Sequence, residues 1–266
     1  MSPELAAKKD GLLDRLRGEP LLIAFSGGVD SSLLLAAARE AAPAALLAVT
    51  GVSPSLARAQ LEQARAVART LGVEHLELGT EELADPRYAA NPGDRCYFCK
   101  HELFGRLRRR FGDLWPRIAD GTNADDLGGH RPGLRAAREE GVISPLAEQG
   151  LTKDEVRALS RHYGLATAEL PASPCLASRV VTGLAIDATR LGRIERAEDA
   201  LRGLGFREFR LRDLGDRARF ELAANEQGRV AARRSAIESA VLATGFAAVE
   251  IDPRPLRSGR LSEESA

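Results

Sequence analysis

The chain has 266 residues, enough for one large domain or two modest ones. Hydrophobic residues make up 44% and charged residues 29%, which excludes an intrinsically disordered protein. Lysine plus arginine equals aspartate plus glutamate at 38 each, so no net field draws the protein to nucleic acid or to a membrane. No apolar run approaches the roughly 18 residues of a membrane helix. The odd number of cysteines, 3, predicts a cytoplasmic protein rather than a disulfide-linked one.

The first part of the chain alternates strand-like and helix-like segments. Short apolar runs predict buried strands at 21–25, 46–50, 73–78 and 117–120. Apolar residues at helical spacing predict helices at 33–40 and 54–71, and a capping box from Thr152 to Glu155 opens another that ends near His162. This alternation predicts an α/β domain over residues 1–168, built on a doubly wound parallel sheet.

The pattern changes after residue 168. Residues 169–184 contain Pro171, Pro174 and Gly183 without clear periodicity, so we expect an ordered active-site loop there. Residues 185–252 predict a helix at about 187–204, a hairpin at 207–212 and 217–222, a helix at about 226–244 and a strand at 247–251, which together form a smaller C-terminal α+β domain. Residues 253–266 are polar, and we expect a frayed tail.

The segment Ser26-Gly27-Gly28-Val29-Asp30-Ser31-Ser32 lies between a predicted strand and a helix start. Two glycines let successive N–H groups point at one anion, and the helix N-terminus adds positive potential. Asp30 is unexpected in a pure anion site, so we assign it to Mg²⁺ held against phosphates. An isolated Ser-Gly-Gly is more often a capping turn, but the whole string is more specific. The Gly-Lys-Ser/Thr ending of a Walker loop is absent.

The cysteines form two features. Cys175 directly follows Pro174 and lies close to Ser178 and Arg179, where a thiolate would be a nucleophile for an activated acyl group. The alternative is a buried structural cysteine. Cys96 and Cys99 form a Cys-x-x-Cys pair, which is compatible with zinc, a redox pair or iron–sulfur ligation. Three cysteines in all suit a [4Fe–4S] cluster that leaves one iron open.

The string at 26–32 resembles the pyrophosphate-binding PP-loop of the adenine nucleotide alpha-hydrolase superfamily, and Asp120 to Asp126 resembles its second nucleotide-facing loop. The resemblance implies that ATP and Mg²⁺ are used to adenylylate a substrate with release of pyrophosphate. It implies ATP contacts from ten residues: Ser26, Gly27, Gly28, Asp30, Ser31, Ser32, Thr50, Gly121, Thr122 and Asn123.

Four further segments resemble the LarE family, namely Arg131-Pro132-Gly133, Ser144-Pro145-Leu146, Leu151-Thr152-Lys153 and the run from Pro171 to Arg179. The family comprises ATP-dependent sulfur transferases of nickel-pincer cofactor synthesis for lactate racemase. The resemblance implies conversion of carboxylates of pyridinium biscarboxylic acid mononucleotide, a small nucleotide, to thiocarboxylates. It also implies a homo-oligomer such as a hexamer.

The hairpin carries the candidate site for the phosphate of this nucleotide. Arg210 and Arg212 share one side of a strand, and with Ser178 and Arg179 they could bind a phosphate. Glu221 on the partner strand would orient an arginine or act as a base. The alternative is a solvated, charged strand face.

Cys175 is the predicted catalytic residue together with Asp30, but the sulfur source stays open. Cys96, Cys99 and Cys175 would ligate a cluster that carries the donated sulfide, or Cys175 would give up its own sulfur and become dehydroalanine. Zinc is the third possibility. The rival functions are PP-loop tRNA thiolation, amide formation by a ligase, and nucleotide sensing without turnover.

Overall fold

The computed structural model describes residues 1–128 and 131–256. The chain forms two compact units, the first made of Met1–Glu82 and Asp94–Ser173, the second of Leu83–Gly93 and the chain from Pro174 onward. The chain therefore passes between the units three times. Most of the predicted tail, from residue 257 onward, lies outside the described residues.

The first unit contains a sheet of four parallel strands in the order β3-β2-β1-β4. The strands are β1 (Leu21–Ala24), β2 (Leu46–Val52), β3 (His75–Gly79) and β4 (Arg117–Ala119). Its helices are α1 (Pro3–Leu16), α2 (Val29–Ala41), α3 (Arg58–Leu71), α5 (Arg95–Phe111), α6 (Pro132–Glu139), α7 (Pro145–Glu148) and α8 (Lys153–His162).

Side chains of β1 alternate between two cores. Leu21 and Ile23 pack with apolar residues of α1, α2 and α8, whereas Leu22 packs with Phe104 of α5 and Ala137 of α6. Helices therefore cover both faces of the sheet, as expected for a doubly wound fold. The predicted fold class is confirmed.

The second unit is built on a mixed sheet of three strands. Its elements are α4 (Pro86–Ala89), α9 (Ala188–Gly203), β5 (Phe209–Asp213), β6 (Arg217–Leu222), α10 (Val230–Leu242) and β7 (Ala248–Ile251). The strand order is β5-β6-β7, antiparallel between β5 and β6 and parallel between β6 and β7. Phe206 and Phe220 are fully buried and meet edge to face with ring centroids 5.3 Å apart, which anchors the core.

Two predicted helix starts are wrong. α3 begins at Arg58 rather than at residue 54, because the chain first makes a turn in which the Leu56 amide donates to the Ser53 carbonyl. α10 begins at Val230, after a 3₁₀ turn over Ala224–Arg229. Both errors extend a helix into a preceding turn, where periodicity carries little information.

In the part of the chain that the structure describes, no helix has the length and apolar character needed to cross a membrane.

Candidate active site

The PP-loop, residues 26–32, joins β1 to the N-terminus of α2 and is ordered by its own serines. The Ser31 hydroxyl donates to the Gly28 carbonyl at 3.3 Å and lies 3.1 Å from the Ser26 hydroxyl. The Ser32 amide already donates to the Gly28 carbonyl. The first N–H groups of α2 have no partners within the helix, so the loop presents donors to an anion.

Two glycines allow neighbouring segments to approach this loop closely. Gly27 has φ +70°, and a Cβ there would lie 2.7 Å from the Ala64 Cα of α3. A Cβ at Gly121, just after β4, would lie 2.8 Å from the Ser31 nitrogen. Side chains at either position would push the backbone of the loop away. The structure thus places Gly121 against the start of α2, as the two-loop nucleotide site requires.

Asp30 is held by two residues from different parts of the first unit. Lys153 Nζ lies 2.5 Å from Asp30 Oδ2, and Asn123 Nδ2 donates to Asp30 Oδ1 at 2.9 Å. The Lys153 backbone amide donates to Asp125 at 2.8 Å, which fixes the start of α8 here. The carboxylate is partly exposed, so it fits the predicted role as a hard oxygen ligand for Mg²⁺.

Lys153 is a site residue that the sequence analysis did not single out. The signal was present, since Lys153 belongs to the Leu-Thr-Lys segment and follows the N-cap of a predicted helix. Among the described residues, Lys153 is the only lysine whose ammonium contacts the Asp30 carboxylate. A cation at this position is suited to phosphate oxygens.

Thr50 and Thr122 have hydroxyls committed to the protein itself. Thr50 is buried and donates to the Phe25 carbonyl at 2.8 Å, and its oxygen lies 2.7 Å from His75 Nε2. Thr122 donates to Asp120 Oδ2 at 2.9 Å. Burial lowers the pKa of His75 from its ordinary value. The predicted adenosine contacts of the two threonines stay predictions.

In the second unit, Cys175 is presented by a turn that we call the Cys175 turn, residues 174–179. The Ser178 amide and hydroxyl both donate to the Cys175 carbonyl, at 3.0 and 2.7 Å. Arg179 Nη1 donates to the Pro174 carbonyl at 2.6 Å. Ser178 and Arg179 therefore shape the turn that carries the half-buried thiol. Their predicted contacts with a substrate phosphate stay predictions.

Three arginines of this unit, Arg179, Arg210 and Arg212, form what we call the arginine cluster. Arg179 Nε pairs with Glu198 at 2.8 Å, and Arg212 Nε pairs with Glu221 at 2.9 Å; all four side chains are buried. Arg212 Nη1 also donates to the Ser178 carbonyl at 2.9 Å. These bonds tie β5 to the Cys175 turn and give each of the two buried arginines a counter-charge.

Arg210 differs from its two neighbours. It is only 8% exposed, yet within residues 1–128 and 131–256 its guanidinium has no hydrogen bond or ion pair. Burial, with smaller contributions from Arg212 and Arg179, lowers the pKa of Arg210 to about 10, so it is still a cation at pH 7. Opposite it in the β5–β6 register is Glu221, whose Oε1 is buried without a partner. An anion bound here would supply the counter-charge that Arg210 lacks among the described residues.

Glu198 was also missed by the sequence analysis. It lies on α9 beside the buried residues Leu191, Ile194 and Leu201. A carboxylate on the apolar face of an amphipathic helix is the signal that could have found it, because such a group needs a buried partner.

Cys96 and Cys99 lie in the first turn of α5, at positions i and i+3 of one helix face. Cys96 is exposed and Cys99 is half-buried. Two accessible thiols on one face suit part of a cluster site. Across residues 1–128 and 131–256, however, no group of three or more histidine, cysteine, aspartate or glutamate side chains is placed to hold a metal ion. The three-cysteine cluster stays a prediction.

Comparison with known proteins gives the family and the fold of the chain. The asparagine synthase family model matches residues 14–93, which contain the PP-loop. Among solved structures, NMN synthetase from Francisella tularensis has a TM-score of 0.52 at 17% identity, covering 65% of this chain and 76% of that one. At this identity the likeness shows the shared fold.

Two curated relatives align over most of the chain. An uncharacterized protein of Synechocystis sp. is 45% identical over 213 residues, which is 80% of this chain and 78% of the relative. Pyridinium-3,5-bisthiocarboxylic acid mononucleotide synthase of Lactiplantibacillus plantarum is 30% identical over 262 residues, 97% of this chain and 95% of the relative. The chain belongs to the LarE family of ATP-dependent sulfurtransferases, within the PP-loop superfamily.

Proposed function

We propose that the protein uses ATP to adenylylate a carboxylate of pyridinium biscarboxylic acid mononucleotide and then replaces the adenylate by sulfur. The product is the thiocarboxylate named in the Lactiplantibacillus relative. The observation that carries this proposal is Arg210, because a nearly buried cation that has no partner among the described residues is suited to a phosphate. A mononucleotide substrate brings one phosphate of its own.

In this proposal the first unit activates the carboxylate. The PP-loop amides and the serine hydroxyls bind the pyrophosphate, and Lys153 balances the charge that develops on the phosphates. Asp30 would hold Mg²⁺, which supplies Lewis-acid stabilisation of the phosphate oxygens when bound. Asn123 fixes the orientation of the Asp30 carboxylate.

The second unit binds the substrate and supplies sulfur. Arg210 contacts the substrate phosphate, while Glu198 and Glu221 hold Arg179 and Arg212 in place. If Cys175 is the sulfur source, its thiolate attacks the carbonyl carbon of the acyl adenylate, and AMP leaves together with the bridging oxygen. Loss of the Cys175 Cα proton then breaks the Cβ–S bond, which releases the thiocarboxylate and leaves dehydroalanine.

The alternative sulfur source needs Cys96, Cys99 and Cys175 as ligands of an iron–sulfur cluster. Such a cluster would supply an extra sulfide, and Cys175 would stay intact. The solvent access of Cys96 and the placement of both thiols on one face of α5 support this version.

The experiment that tests the proposal uses full-length protein purified without oxygen. It is incubated with ATP, Mg²⁺ and the biscarboxylic mononucleotide, and both pyrophosphate and thiocarboxylate are measured. We expect both products only when all three components are present. Pyrophosphate release without the mononucleotide, or amide formation in the presence of ammonia, would contradict the proposed substrate and reaction.

Mass spectrometry of the protein after turnover distinguishes the two sulfur sources. Sacrifice makes the chain lighter by about 34 Da, the mass of hydrogen sulfide, after a single turnover. The cluster version leaves the mass unchanged and gives about four irons per chain after anaerobic reconstitution. If the cluster is the sulfur source, the Cys96→Ser variant loses most of its iron. If Cys175 is sacrificed, the Cys96→Ser variant still completes one turnover.

A further inference from the structure

Helix α3 contacts two segments of the first unit that the sequence analysis treated separately. Its N-terminal turns carry Gln60 and Gln63, at i and i+3 on one face. Gln63 contacts the PP-loop. Gln60 contacts Ser173, the last residue of the unit before the Cys175 turn.

The contact with the PP-loop is close. Gln63 Nε2 donates to the Gly27 carbonyl at 2.5 Å. Gly27 also packs directly on Ala64, since a Cβ at Gly27 would lie within 3.0 Å of three Ala64 atoms. The position of the Gly27 peptide is therefore set by α3.

The two ends of the Gln60 amide contact different residues, Ser173 through the nitrogen and Ala57 through the oxygen. Gln60 Nε2 donates to the Ser173 carbonyl and lies 3.0 Å from the Ser173 hydroxyl. Its Oε1 accepts from the Ala57 amide at 3.4 Å, which closes the N-terminus of α3. Gln60 thus combines two functions, a helix cap through its oxygen and a tether through its nitrogen.

We propose that Gln60 is a positioning residue that holds the chain at Ser173 to the helix that sets the PP-loop, so that Cys175 delivers sulfur to the adenylate before water does. Cys175 follows Ser173 by two residues, and two peptide units limit how far the thiol can move from a fixed Ser173. The inference rests on the proposed function. When the tether is lost, water attacks the acyl adenylate, AMP leaves and the carboxylate is regenerated.

Two substitutions of Gln60 distinguish its role as a tether to Ser173 from its role as a cap of α3. Gln60→Glu keeps the oxygen that accepts from Ala57 and replaces the donor by an oxygen that repels the Ser173 carbonyl. Gln60→Lys restores a donor of sufficient length and removes the capping oxygen. Ala59→Glu and Ala59→Lys are matched controls, because residue 59 is exposed on the same helix turn and receives the same charges.

The first measurement is the number of pyrophosphates released per thiocarboxylate formed. We expect Gln60→Glu to raise this ratio about two- to tenfold, the range of one neutral hydrogen bond, with the KM for ATP unchanged. Gln60→Lys should remain close to the wild type, and so should both variants of Ala59. Normal coupling in Gln60→Glu, or a larger defect in Gln60→Lys, would mean that Gln60 acts only as a cap.

The second measurement does not depend on turnover. Iodoacetamide alkylation of Cys175, followed by peptide mass spectrometry, should be about two- to tenfold faster in Gln60→Glu than in Ala59→Glu. Equal rates would overturn the tether. If the wild type forms no thiocarboxylate while its alkylation rate responds to Gln60→Glu, the proposed function fails and the positioning role stands.

Discussion

The PP-loop of the first unit and the arginine cluster of the second both suit phosphate, but they are made of different groups. The PP-loop offers backbone amides and small hydroxyls, its only carboxylate is Asp30, and the partly exposed Lys153 of α8 lies beside that carboxylate. The arginine cluster buries three guanidiniums with two carboxylates, Glu198 and Glu221. Neutral dipoles cost little when no anion is bound, whereas buried cations need partners at all times.

From this difference we expect the two regions to respond differently to substitution, in ligand binding and in the stability of the fold. Residues of the PP-loop contribute to function with little effect on the fold. In the arginine cluster, Arg179 and Arg212 are parts of the fold as well, and Arg210 alone is left for the ligand. Substitutions of Glu198, Asp30, Arg210 and Arg212 test this contrast, and a substitution of His75 tests a smaller effect of pH.

The largest effect is expected for Glu198→Gln. It leaves the Arg179 cation buried without a counter-charge and weakens the bond to the Leu211 amide. Removing one partner of a buried pair costs about 3–5 kcal/mol of unfolding free energy, measured by urea denaturation. Glu238→Gln, which breaks an exposed pair with Arg234 on α10, is the control and should have little effect. A loss below about 1 kcal/mol for Glu198→Gln would remove the distinction between the two regions.

Asp30→Asn should have the opposite profile. The amide keeps the shape of the side chain but loses the charge that binds Mg²⁺, so pyrophosphate release should fall about 100- to 1000-fold. The melting temperature should change little, because the carboxylate is partly exposed. Asp14→Asn, on the exposed face of α1, is the control for the charge change. Normal pyrophosphate release would exclude the role of Asp30 in metal binding.

Arg210→Met tests whether Arg210 differs in function from Arg179 and Arg212, the two paired members of the arginine cluster. We expect the KM for the mononucleotide to rise about 30- to 100-fold, the value of a charge-assisted phosphate contact, while the KM for ATP stays constant. Because burial lowers the pKa of Arg210, its charged form is disfavoured in the folded state, so this variant should be as stable as the wild type or more stable. Arg212→Met should lose both substrate binding and stability, since it strands Glu221. Equal losses in the two variants would contradict the separate assignment of Arg210.

The smallest effect concerns pH. The folded pKa of His75 is lowered by burial, so the unfolded chain takes up the proton first, and stability is lost as pH falls below about 6.5. The neutral side chain of His75→Gln keeps a donor for Thr50 and removes this dependence. The difference in urea midpoint between wild type and variant should therefore be larger at pH 7.5 than at pH 5. A constant difference would show that His75 does not titrate in this range.

The fold and the PP-loop could be predicted because their signals are local. The strand, the glycines and Asp30 are consecutive, and the capping box at Thr152 lies in four residues. The partners of these residues could not be predicted in the same way. Lys153 lies far from Asp30 in sequence. The spacing between Arg179 and Glu198 matches neither helical nor strand periodicity, so their ion pair is visible only once α9 and the Cys175 turn are folded. The hairpin register placed Arg210 beside Glu221, but only the folded structure shows that Glu221 pairs with Arg212 instead.

The segment Leu83–Gly93 belongs to the second unit although it lies between the two parts of the first in sequence. Asn91, in a left-handed conformation with φ +53°, donates to the carbonyls of Val181 and Leu184, and its own carbonyl accepts from Gly183. During synthesis on the ribosome, this segment is made before Val181, Gly183 and Leu184, so these hydrogen bonds form only after the residues that follow Pro174 have been made. A gene fragment that starts at Pro174 would encode an incomplete unit, so cutting this protein at one linker yields no autonomous half.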